Sequence, residues 1–139
     1  MEIHYLWVLL AGVGAFVAYM IIGTLGFVFL PALKKEFEKF PHIYRGHDAI
    51  MKVMPIGMLF MLVSMLTLAV IYAHWHQPGA SGLMDGLVFG VLVAIFTTGA
   101  FVVHNYVNLS ISLTLTINSG IAYFVEWTAA GIAIGLIYR

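Results

Sequence analysis

The chain has 139 residues, of which 63% are apolar and only 9% are charged, and its six basic residues balance its six acidic ones. A soluble globular domain has about 25% charged residues, so a water-exposed fold is excluded. Disorder is excluded because aliphatic and aromatic residues are abundant. The neutral charge balance offers no electrostatic surface to nucleic acid, and the lack of cysteine excludes disulfides and thiolate metal sites. The remaining class is an integral membrane protein whose main partner is the lipid bilayer.

Four apolar segments are long enough to cross the bilayer as helices, since roughly 20 residues span about 30 Å of hydrocarbon. They cover about 3–30, 53–73, 83–103 and 117–138. The loops between them are too short to hold a separate soluble domain. We therefore predict an all-α fold, in which residues 1–139 form a single transmembrane four-helix bundle.

The basic residues predict an orientation. Five of the six lie between the first two spans: Lys34, Lys35, Lys39, Arg45 and Lys52. By the positive-inside rule this loop faces the cytoplasm. We expect a multi-pass protein of the cytoplasmic (inner) membrane with both termini outside.

The same loop begins with a possible amphipathic helix. Leu33, Phe37 and Phe40 follow Pro31 at helical spacing with charged residues between them, and Pro41 would stop the helix. This pattern is typical of a short helix lying at the membrane interface. A solvated charged loop with snorkelling lysines explains the composition equally well.

Small residues recur every four positions in the last two spans. The third span carries Gly82, Gly86 and Gly90, and the fourth carries Gly131 and Gly135. In lipid, such faces let helix backbones approach closely. The contact can lie inside one bundle or between chains. Two such faces in so short a chain lead us to expect a homo-oligomer or a larger membrane complex.

Glu126 is the one charged residue within the fourth span. A charged side chain at the bilayer centre costs about 2.5–3.5 kcal/mol on insertion scales, so it should face the bundle interior or water. The possible polar neighbours are Tyr19, His104, Asn105 and Asn118. Two roles are open for Glu126. It either binds and releases protons or cations during transport, or it is a structural group that donates an interhelical hydrogen bond.

Methionines form a stripe on the second span, and Met58, Met61 and Met65 are its deeper members. Methionine fills irregular packing gaps, but its thioether is also a soft ligand for Cu(I). His4, His74 and His76 lie near the predicted outer ends of the first two spans. Copper handling is therefore an alternative function.

The second half of the chain resembles an uncharacterised family of small bacterial four-helix membrane proteins, domain of unknown function 1761. The resemblance rests on Asp85-Gly86-Leu87 with Gly90, Asn105-Tyr106, Ile117-Asn118-Ser119-Gly120, and the glycine-rich end from Gly131 to Arg139. The first half matches in hydropathy only. The resemblance implies four helices and no known activity.

These patterns lead to three hypotheses on function. The first is an oligomeric carrier or channel that moves protons, cations or a small polar solute past Glu126. The second is a non-catalytic accessory subunit of a larger complex, and the third is copper handling. No nucleophile, base and orienting group occur together, so we predict no enzyme and no bound cofactor.

Overall fold

The computed structural model describes residues 3–29, 31–76 and 81–138, and for Pro31 and Ala32 only the backbone. Its helices are α1 (Tyr5–Phe29), α2 (Pro31–Glu38), α3 (His47–Trp75), α4 (Gly82–Thr97), α5 (His104–Asn108) and α6 (Leu113–Ile137). A π-helical segment, Thr98–Val103, joins α4 to α5. No strand occurs in the described ranges, which confirms the all-α class.

Four helical stretches are long and apolar enough to cross a membrane: α1, α3, the continuous run Gly82–Asn108, and α6. The chain is thus a multi-pass membrane protein. Helix α1 lies within its predicted span, but the other three stretches begin or end beyond theirs, and α3 begins at His47 instead of about residue 53. The reason is that hydropathy marks the immersed part of a helix, whereas the hydrogen-bonded helix continues into the polar sequence that contains Asp48 and Lys52.

Helix α6 is the centre of the bundle. It packs against α1 on one side and α4 on the other, while α3 packs mainly against α1. A Cβ on Gly14 would meet Ile137, and one on Gly23 would approach Glu126, so α1 and α6 are antiparallel. We call the end of the bundle that holds α2 and the loop before α6 the basic end. The opposite end, with Ile3, His76 and Tyr138, is the terminal end.

The two glycine faces meet each other. A Cβ on Gly86 would lie 2.7 Å from the carbonyl oxygen of Gly131, and one on Gly90 would lie 2.6 Å from that of Thr128. Gly82 and Gly135 make the corresponding contact at the terminal end. Both faces are therefore used inside one chain. The expectation that one of them reaches a second molecule loses its support.

The amphipathic helix is present as α2, so the alternative of a solvated loop is wrong. Leu33 is only 3% exposed, and Glu36 is also buried. Helix α2 packs against α6 and α1, and it ends at Glu38, two residues before Phe40.

Candidate intramembrane site

Glu126 lies near the middle of the bundle, between α6 and α1. It is about 20 Å along the helix axis from Leu113 and about 17 Å from Ile137. Its side chain is 8% exposed. One carboxyl oxygen, Oε1, would be 3.2 Å from a Cβ on Gly23, so the missing side chain of that glycine makes room for the carboxyl group.

Two tyrosines adjoin this carboxyl group. The Tyr19 hydroxyl lies beside Glu126, as the sequence predicted, and Tyr19 precedes Gly23 by one helical turn. Tyr123 is the second tyrosine, one turn before Glu126 on the same face of α6. Among the described residues the ion pairs are Lys39–Glu36 and His76–Asp85, so no cation pairs with Glu126 there. A mid-membrane carboxyl group without a cationic partner is a candidate functional site.

A polar face of α6 leads from the basic end to Glu126. Thr116, Ser119 and Tyr123 precede Glu126 at steps of three and four residues, which places all four on one side of the helix. A pocket of about 120 Å³ is lined by the first three together with Tyr44 and Asn105, and by the apolar side chains Phe37, Phe101, Val102 and Ile111. Since a water molecule occupies about 30 Å³ in the liquid, the pocket has room for a few of them.

The other two predicted polar neighbours are not part of this arrangement. His104 is exposed and does not line the pocket. Asn118 is half-buried, and eight residues before Glu126 it is rotated by about 80° around α6. Of the predicted set, the structure therefore brings Tyr19 to Glu126 and Asn105 to the pocket below it.

Aromatic side chains close the terminal end. Tyr72 is fully buried, with ring centroids 5.3 Å from Phe89, 5.9 Å from Trp75 and 6.0 Å from Tyr138. Next to this cluster, Nδ1 of His76 lies 3.2 Å from a carboxylate oxygen of Asp85. No local sequence pattern indicated this pair, because its members flank the connection between α3 and α4. The pocket on the polar face thus lies on the basic-end side of Glu126, and the aromatic cluster lies on the terminal-end side.

The predicted copper ligands do not converge. Met65 is fully buried, Met61 is half-buried and Met58 is exposed, and His74 follows Met65 by nine residues or about 14 Å of helix. Bonds from a metal ion to its nitrogen or sulfur ligands are about 2 Å long, so these groups cannot share one ion. His74 is bonded to its own helix, 2.8 Å from the carbonyl oxygen of Val70, and His4 is exposed. No group of three His, Asp or Glu side chains within the described ranges is placed to hold a metal ion.

A large apolar groove opens between α3 and α4. These helices meet through Tyr72, Trp75 and Phe89 near the terminal end and diverge toward the basic end. The groove has a volume of about 850 Å³. Its walls include Phe60, Thr67, Leu92 and Phe96, and its floor is formed by Tyr19, Tyr123 and Trp127.

Helix α2 is tied to the start of α6. The Ser112 hydroxyl donates to Oε2 of Glu36 over 2.9 Å and accepts from the backbone N–H of Leu115 over 3.0 Å, which caps α6. Lys39 pairs with the other oxygen of Glu36. The hydrogen bonds from Lys39 and Ser112 lower the pKa of Glu36 below its usual value. Glu36 and Ser112 are 76 residues apart in the chain, so no local sequence pattern indicated this contact.

No protein-family model, curated protein or solved structure matches the chain.

Proposed function

We propose that the protein is a membrane carrier or channel in which Glu126 takes up and releases a proton while a cation or small polar solute passes. The observation that carries this proposal is the placement of Glu126 at mid-membrane without a cationic partner, at the end of a polar face that begins at the basic end. A purely structural carboxyl group would need only one hydrogen-bond partner. It would not need the pocket and the hydroxyl groups below it.

The positive-inside rule assigns the basic end to the cytoplasm, so Glu126 exchanges protons with that side. The aromatic cluster at the terminal end separates it from the other side. Transport then requires either movement of α3, which packs mainly on α1, or a second copy of the chain that completes the path. The proposal includes a homo-oligomer. It also includes the cytoplasmic (inner) membrane of a bacterium, in line with the resemblance to the uncharacterised bacterial family.

The test is proton movement in proteoliposomes that contain a pH-sensitive dye. It is measured under a K⁺ diffusion potential and, separately, after addition of Na⁺, K⁺ or a small amine. We expect the wild-type protein to move protons in at least one condition, and Glu126→Gln to lose this activity while keeping its helicity. Glu38→Gln is the matched control, because Glu38 is exposed on α2. Proton movement by Glu126→Gln at the wild-type rate, or none by the wild-type protein in any condition, refutes the proposal.

A second candidate is a non-catalytic accessory subunit of a larger membrane complex. The closed terminal end favours it, because one chain holds no polar path across the membrane within its described residues. Mild-detergent extraction from the native membrane followed by native mass spectrometry separates the two. A mass with foreign subunits supports the accessory role, and a homo-oligomer supports the carrier.

A further inference from the structure

The floor of the groove between α3 and α4 is an aromatic corner. The rings of Tyr19 and Trp127 have centroids 5.1 Å apart and an interplanar angle of 61°, so they pack edge to face. Tyr123 lines the same floor. Aromatic faces attract cations that come within about 6 Å of the ring centroid, and the attraction grows where water is absent.

Release of the Glu126 proton, as proposed above, puts a negative charge directly behind this corner. Tyr19 and Tyr123 both border Glu126, whereas Glu126 itself does not line the groove. A cation that contacts the ring faces is therefore separated from the carboxyl group of Glu126 by one layer of side chains, the two tyrosines. In a low-dielectric interior, the attraction between opposite charges remains strong across such a layer.

The walls of the groove are apolar and are complementary to a hydrophobic ligand. The hydroxyl groups of Ser64, Thr67 and Thr97 lie in the lining, but each already donates to a carbonyl oxygen four residues earlier in its own helix. No Lys, Arg or His is found in the described lining. A ligand with a hydrophobic body and one positive charge fits the apolar walls and the aromatic rings of the floor.

The depth of the floor argues against a phospholipid. Tyr19 lies 14 residues into α1, or about 21 Å along its axis, which is close to the middle of the membrane. A phospholipid that keeps its headgroup at the interface can place only acyl chains there. Acyl chains are uncharged, so they make no specific interaction with the aromatic corner or the carboxyl group.

We infer that the groove binds a lipophilic organic cation, such as a hydrophobic amine or quaternary ammonium ion, that enters sideways from the bilayer between α3 and α4. The proposal rests on the role of Glu126 proposed above and names the substrate class of that site.

The test is equilibrium binding of tetraphenylphosphonium to the protein in phosphatidylcholine nanodiscs, with empty nanodiscs as background. Triphenylphosphine oxide, a neutral molecule with similar phenyl rings, serves as competitor. We expect saturable binding that the neutral molecule does not displace. Glu126→Gln should weaken binding at least about tenfold, since the attraction between the cation and the carboxylate across one side-chain layer is lost. Glu38→Gln should bind like the wild type.

A second variant acts on the groove and leaves Glu126 intact. Ser64 is exposed on the lipid-facing side of α3, so Ser64→Trp fills the groove without disturbing the core. We expect this variant to weaken tetraphenylphosphonium binding to a similar extent. The comparison of the charged and the neutral probe uses only the wild-type protein. It therefore decides the proposal even if a variant is unstable.

Three results overturn the inference: no saturable binding, equal competition by the neutral probe, which indicates an acyl-chain site, or a copurified membrane polypeptide that blocks the groove. The measurement is independent of the proton assay. Loss of proton movement in Glu126→Gln without cation binding refutes this inference and leaves the carrier proposal intact. Cation binding without proton movement refutes the carrier proposal and leaves this inference intact.

Discussion

Replacement of Gly86 by alanine tests the contact between α4 and α6. The new Cβ would lie 2.7 Å from the carbonyl oxygen of Gly131 and 3.0 Å from Cα of Gly135, whereas ordinary contact begins at 3.4 Å. The obstacles are backbone atoms, which cannot rotate away, so the two helices must separate by about 0.7 Å. Overpacking of this kind costs about 1–3 kcal/mol.

Gly57→Ala is the matched control, because a Cβ at this position of α3 meets nothing within 4 Å. Both substitutions gain roughly 0.8–1 kcal/mol of helix propensity. We therefore expect Gly86→Ala to be less stable than Gly57→Ala by about 1–3 kcal/mol. The assay is unfolding in mixed micelles by titration with sodium dodecyl sulfate, followed by circular dichroism. Equal stability of the two variants refutes the close backbone contact.

Three further predictions concern the contact of α2 with α6 and the surroundings of Glu126. Because the pKa of Glu36 is lowered in the folded state, its contribution to the docking of α2 is present above the usual carboxyl pKa and is lost as pH falls through the lowered one. Amide exchange of α2 should accelerate on acidification, and Glu36→Gln should remove this pH dependence. Ser112→Ala should cost about 0.5–2 kcal/mol and accelerate exchange in the first turn of α6, and unchanged exchange argues against the cap. Gly23→Ala, with a Cβ 3.2 Å from Oε1 of Glu126, should slow proton movement several-fold, whereas Gly26→Ala, with nothing within 4 Å, should not.

The sequence predicted the elements of the fold better than their contacts. Long apolar runs identify membrane helices directly, whereas the spacing of Leu33 and Phe37 indicated α2 but left a solvated loop as an equal alternative. The glycine pattern identified the faces that pack closely. It could not say whether Gly86 faces Gly131 of the same chain or of another, since the spacing is the same in both cases.

The site was predictable only in part, for a physical reason. In lipid, the residues that face other helices and those that face acyl chains are both apolar, so hydropathy does not reveal which side of α3 borders a groove. The cost of burying Glu126 identified it as a site residue, and Tyr19 followed from its depth. The contact of Glu36 with Ser112 and the pairing of His76 with Asp85 depend on how the helices meet, and no local pattern encodes them.

The central position of α6 has a consequence for how the protein is made. Its mean hydropathy is 1.6, compared with 2.2–2.4 for the other three spans, and it carries Glu126. A ribosome synthesises α6 after α1 and α4, so the glycines that it packs against and the space beside Gly23 already exist when it reaches the membrane. Insertion of α6 is then assisted by its own neighbours, because the carboxyl group enters a prepared protein surface instead of bare lipid. A translocation reporter fused after α6 should show efficient insertion in the full chain and poor insertion of α6 alone.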